Sequence, residues 1–102
     1  MSLELAQYAD AFRDLCRRYG VVRLELFGSA ATDAYDPTRS DLDFLVEFDH
    51  LPEVTYADTY FGLLEELEEL FKQPVDLVVA SAIRNRYFRE SVERSKMLLY
   101  AA

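Results

Sequence analysis

From Leu3 to Tyr19 apolar side chains recur at three- and four-residue steps, at Leu5, Tyr8, Phe12, Leu15, Cys16 and Tyr19, with polar residues between them. That spacing predicts one amphipathic helix, capped by Ser2 and stopped by Gly20. The period then drops to two. Val22, Leu24 and Leu26 alternate with Arg23, Glu25 and Phe27, which predicts a strand over 21–27 that ends in a tight turn at Gly28-Ser29. A short helix over 30–34 and a loop marked by Asp36-Pro37 lead to a second strand, 41–48. Its alternation places Leu42, Phe44, Val46 and Phe48 on a core face and Asp41, Asp43, Leu45 and Glu47 on the other. A long helix, about Val54 to Lys72, is stopped by Gln73-Pro74. The strand that follows, 75–79, turns Val75, Leu77 and Val79 one way and Asp76 and Val78 the other. A helix over 81–95 and a short strand over 96–101 complete the order. Helices interspersed with four strands predict an α+β (α/β) protein in which helices pack on a mixed sheet.

Length allows little more than this. The 102 residues, 51% of them hydrophobic, suffice for one core, so residues 1–102 are expected to form a single domain. No run approaches the roughly 20 apolar residues of a membrane span, and the first residues lack the basic start and apolar stretch of a signal peptide. With one cysteine, Cys16, no internal disulfide forms, and the cytoplasm is the expected location. Charge narrows the partners. Nineteen acidic residues against eleven basic ones give a net charge of −8, which opposes a long nucleic acid, since such binding depends on Lys and Arg neutralising phosphates. A nucleotide whose phosphates are screened by metal ions is compatible with it.

The candidate chemistry sits on the second and third strands. Two aspartates at i and i+2, Asp41 and Asp43, point the same way with Cα atoms roughly 7 Å apart, so their carboxylates can converge on a divalent cation. A bare pair of this kind is common on solvated faces. Two neighbours add to it: the Gly-Ser turn that closes the preceding strand, and Asp76, alone in the apolar strand VDLVV. A lone Asp there is costly to bury unless paired or metal-bound, which is a reason to seat it beside the other two. Three carboxylates crowded together become stable when one or two Mg²⁺ ions bridge them to phosphate oxygens. Gly28 lets the backbone approach a ligand closely, and the N–H groups and hydroxyl at Ser29 are donors for an anionic phosphate.

The segment LFGSAATDAYDPTRSDLDFLVEF resembles the GS…DxD signature of the DNA polymerase β-like nucleotidyltransferases, in particular their smallest branch, the minimal nucleotidyltransferase (MNT) domains. The resemblance spans nearly the whole chain and implies the nucleotidyltransferase fold. It further implies that Gly28 and Ser29, with Ser40 ahead of the DxD, hold the triphosphate of ATP. Asp41 and Asp43 would ligate Mg²⁺, two ions in all, and Asp76 would complete the metal site and help activate the acceptor hydroxyl. One departure stands out. Many MNT sequences carry an Arg-Gly pair shortly after the Gly-Ser, where this chain has Thr32-Asp33. Asp33 either weakens triphosphate binding or caps the turn and faces solvent; Arg39 either compensates or is a surface arginine.

A domain this small has no room for a separate acceptor-recognition module, so a partner protein is the expected grip on the acceptor. MNT proteins are commonly the antitoxin of a pair whose toxin is a HEPN-domain ribonuclease. The resemblance therefore implies transfer of AMP from ATP to a tyrosine of that toxin, within a homo- or hetero-oligomer. A binding-only antitoxin and transfer to a small hydroxylated molecule are the alternatives. The rest of the chain carries blander signals. His50 follows a strand in a polar loop, Cys16 belongs to the first helix's apolar face, and leucines 64, 67 and 70 form a stripe between glutamates. Arg84, Arg86, Arg89 and Arg94 are the one positive region, near either the triphosphate, an acidic partner or the acidic helix.

Overall fold

The computed structural model describes residues 5–32, 36, 41–49 and 53–102, the side chains of 53 and 54 excepted. The first predicted helix is present from a 3-10 turn, Ala6–Tyr8, into an α-helix, α1 (Ala9–Arg18). Phe12, Leu15 and Cys16 are its buried residues, and Asp10 in the first turn and Arg17 and Arg18 in the last suit the helix dipole. It stops where expected, at Gly20, whose φ of 67° favours glycine. The strands are β1 (Val21–Phe27), β2 (Leu42–Phe48), β3 (Val75–Val79) and β4 (Met97–Ala101). Two further helices are α2 (Glu53–Phe71) and α3 (Arg86–Ser95).

The four strands form one mixed sheet in the order β3-β2-β1-β4. β1 runs antiparallel to both β2 and β4, while β2 and β3 are parallel, as a crossover through α2 permits. The expectation of an α+β protein with helices on a four-stranded mixed sheet therefore holds. On one face α1 and α2 bury Leu24, Leu26, Leu42, Phe44, Val46 and Leu77 beneath Phe12, Leu63 and Leu67. The two helices are tied by Tyr19, whose hydroxyl donates to the Glu66 carboxylate, and by Arg18, which bonds Glu66 at 2.6 Å. Gly62 makes room for that tyrosine, since a Cβ there would lie 2.8 Å from Tyr19 Cε1. The Cys16 thiol is fully enclosed, and burial pushes its pKa up to about 12, so it packs as a small apolar group. Among the described residues no helix is long and apolar enough to cross a membrane.

Four details differ from the sequence pattern. In β1 it is Val21, not Val22, that joins the core, because the register with β2 shifts between Val21 and Arg23 and so breaks the strict alternation. Leu45 shares the face of Asp43 and Glu47 yet is only 7% exposed, since a second, small core of Phe27, Leu45, Ile83 and Val92 forms beneath α3. The predicted helix 81–95 is interrupted: a 3-10 turn, Ala80–Ala82, is followed by extended backbone that seats Ile83 on Leu45, and α3 begins only after Asn85. Asn85 caps it by accepting from the Phe88 amide at 3.0 Å. In α2 the fully buried leucines are Leu63 and Leu67, with Leu64 and Leu70 at the margins of the stripe. Ser2, Leu3 and His50 lie outside the described residues.

Candidate active site

The period-two register of the sheet decides which side chains meet. Asp43 on β2 is the cross-strand partner of Phe27 in the antiparallel pair and of Asp76 in the parallel pair. Partners in register project to the same side, so Asp43 and Asp76 stand together on the α3 face. Asp41, two residues before Asp43, is exposed at the edge of this group. The electrical consequence appears at Asp43: burial first, then the charges of Asp76 and of Asp41, push its carboxyl pKa from 3.8 to about 6. The neighbouring phenol of Tyr60 is raised as well, by burial and then by the Asp76 charge, while its hydroxyl donates to the Leu77 carbonyl.

Gly28 follows Phe27 directly and closes the corner. Its φ is 72°, and a Cβ built there would lie 2.6 Å from Asp43 Oδ2, so no other residue lets the turn pass this carboxylate undisturbed. The short helix expected over 30–34 is a 3-10 turn over Gly28–Ala31, with half-buried Ser29 at its start. Thr32 closes the turn, its amide and hydroxyl donating to the Ser29 carbonyl at 3.0 and 2.9 Å. The Gly28 amide is not directed at a ligand: it donates to Ser95 Oγ at 2.9 Å, in the last turn of α3. Ser95 is the residue that the sequence reading missed. Nothing local marks it, because its contact lies 67 residues along the chain from Gly28.

Of the candidate residues, the structure thus brings together Gly28, Ser29, Asp41, Asp43 and Asp76. Ser40, Asp33 and Arg39 lie outside the described residues. Among the described residues no three acidic or histidine side chains close around a metal by themselves. Mg²⁺ typically keeps several waters and takes only one or two carboxylates together with substrate phosphates. The hard oxygen donors of Asp43 and Asp76, with Asp41 close enough to repel Asp43, fit that demand, and a cation offsets both the burial and the repulsion that raise the Asp43 pKa. A cleft of about 340 Å³ lies away from the aspartates, lined by Glu47, Phe48, Ala80, Ser81 and Arg89. Arg84 and Arg89 donate to the backbone carbonyls of Ser81 and Ile83, and Arg86 lies over the Tyr87 ring.

A family model described as a nucleotidyltransferase domain matches residues 9–99. The chain belongs to the nucleotidyltransferase domain family. A relative from Methanocaldococcus jannaschii, provisionally named a protein adenylyltransferase, is 37% identical to this nucleotidyltransferase over 79 residues, covering 78% of this chain and 76% of that protein. A solved structure provisionally described as a minimal nucleotidyltransferase is 32% identical, with a TM-score of 0.72 over 91% of this chain and 90% of that one. The fold is shared, at 19% identity and a TM-score of 0.65, with a chain of the complex between a tri-AMPylated HEPN toxin of Shewanella oneidensis and an MNT antitoxin, over 97% of this chain and 74% of that one.

Proposed function

We propose that this nucleotidyltransferase moves AMP from ATP to a tyrosine hydroxyl of a HEPN-domain partner and acts as the antitoxin of that pair. The observation that carries the reading is the Asp43–Asp76 pair set in register beside the Gly28 corner. Two likenesses support it: the 37% identical relative is named for protein adenylyl transfer, and the toxin in the structurally similar complex carries AMP groups.

Asp41, Asp43 and Asp76 would hold Mg²⁺, which when bound supplies Lewis-acid neutralisation of phosphate charge. The chain's own groups do the remaining work. Ser29, at the start of the 3-10 turn, receives phosphate oxygens, and Gly28 keeps that turn against Asp43. Exposed Asp76 takes the proton from the incoming tyrosyl hydroxyl. The tyrosyl oxygen bonds to the α-phosphorus, the bond from that phosphorus to the β-bridging oxygen breaks, and pyrophosphate departs with the electron pair.

The test is incubation with α-labelled ATP, Mg²⁺ and a HEPN-domain protein as acceptor. Label is expected on a tyrosine of the partner, and it is expected to vanish with Asp41→Asn, Asp43→Asn. Thr32-Asp33, in place of a basic residue, favours a second reading in which binding alone neutralises the toxin. If the doubly substituted protein protects cells as well as the wild type does, that second reading replaces the first.

A further inference from the structure

We infer that Ser95 is a positioning residue for the phosphate-receiving turn, holding Gly28 in the orientation that nucleotide binding needs; the inference rests on the reading of that turn given above. Gly28 is fixed from two sides. Asp43 Oδ2 occupies the space where a Cβ would stand, 2.6 Å away, and on the other side the Gly28 amide donates to Ser95 Oγ at 2.9 Å. The acceptor is itself held in place. Three residues before it, Val92 is 2% exposed in the small core, and one residue after it, Lys96 bridges to the buried Glu25 carboxylate at 3.5 Å. Glu25 is further bound by Arg23 at 3.1 Å, and Phe88 sets its ring edge-on to Phe27 with centroids 5.9 Å apart. The end of α3 is therefore anchored to β1 on both sides of Ser95.

By accepting from Gly28, Ser95 fixes the peptide plane between Phe27 and Gly28, and with it the side of the turn that faces Asp43. A left-handed residue with a free amide has several ways to rotate that plane; one with its amide bonded to a fixed hydroxyl has few. Ser95 Oγ in turn lies 3.4 Å from the Ser91 carbonyl, which sets its proton away from Gly28 and leaves a lone pair for the amide. The consequence is specific to the nucleotide. Loss of the hydroxyl loosens the turn that receives phosphate and leaves the acceptor side untouched.

The experiment compares wild type, Ser95→Ala, Ser95→Thr and Ser91→Ala for binding of α,β-methylene ATP, an analogue that resists cleavage at the bond this reaction breaks. Ser95→Ala is expected to raise Kd roughly three- to tenfold, the range set by one lost hydrogen bond, with Tm unchanged and the Gly28 amide exchanging faster with solvent. Ser95→Thr is expected to stay within about twofold of wild type, as is Ser91→Ala, which loses a hydroxyl from the same helix without touching the turn. In transfer assays the Ser95→Ala defect should appear in KM for ATP and not in KM for the acceptor. Analogue binding by Ser95→Ala equal to wild type, unaltered protection of the Gly28 amide, or a loss of Tm with both KM values shifted together would overturn the inference. If wild type binds the analogue but labels no acceptor, the proposed transfer fails, while the Kd comparison still decides the role of Ser95.

Discussion

The two faces of the sheet are built to different standards. Under α1 and α2 the packing is continuous and almost wholly apolar, with Phe12, Leu24, Leu42, Phe44, Leu63 and Leu67 at 2% exposure or less. Under α3 the core is four residues, Phe27, Leu45, Ile83 and Val92, and the surrounding positions on that face are Glu25, Asp43, Glu47 and Asp76. Burial of apolar area stabilises the first face; the second holds the half-buried Asp43 beside the exposed Asp76, which opposes folding and favours a ligand of opposite charge. Stability and chemistry are thus separated by one layer of backbone, and Asp43 and Phe44 are neighbours on opposite sides of it.

That contrast can be broken most sharply by cavities. Phe44→Ala should cost about 3–5 kcal/mol, and Val92→Ala on the α3 face no more than about 2 kcal/mol, both read from chemical denaturation. Equal costs would mean that the α3 face is as much a structural core as the other. Next in size is Gly28→Ala, which forces a Cβ against Asp43 at a φ of 72°. About 1–3 kcal/mol of strain is expected, with nucleotide transfer reduced at least roughly tenfold. Activity should fall further than the loss of stability explains; a fall in proportion to unfolded protein would erase the distinction between the faces.

The smallest effect has the opposite sign. Because the folded-state pKa of Asp43 is raised from 3.8 to about 6, the folded protein holds more protons than the unfolded chain between those values. Stability therefore falls as pH rises across that window and stays at its lower level above it. Asp43→Asn should stabilise the metal-free protein at pH 7–8 while abolishing transfer, and the gain should disappear by pH 4. Solvent screening at this half-buried carboxylate holds the gain to about 1 kcal/mol, a rise in Tm of roughly 4–8 °C. A variant that is no more stable at pH 8 than at pH 4, relative to wild type, would show that the aspartates do not strain the fold.

Much of the fold was legible because periodicity reports burial directly: β1 and β3 have the bounds that alternation predicts, and the face of Asp43 and Asp76 follows from counting by two. The features that were not legible depend on what crosses a face, not on what lies along the strand. Leu45 looks solvated until Ile83 and α3 are placed over it, and the register shift near Val22 carries no glycine or proline to announce it. Asn85 was a readable cap inside a segment taken as continuous helix. The Gly28–Ser95 bond has no local signature at all. The corner and the carboxylates could be read from composition and spacing, but the residue that orients the corner is set by tertiary packing alone.

Asp43 and Asp76 belong to parallel strands, and a parallel pair needs a long connection, here the nineteen-residue α2, before its members can sit side by side. On an emerging polypeptide the first carboxylate is synthesised well before its mate, and the pair does not exist in any fragment that stops short of β3. On the proposed function, affinity for a divalent ion would arise only when β3 docks on β2, so cation uptake during refolding should mark the closing of that pair.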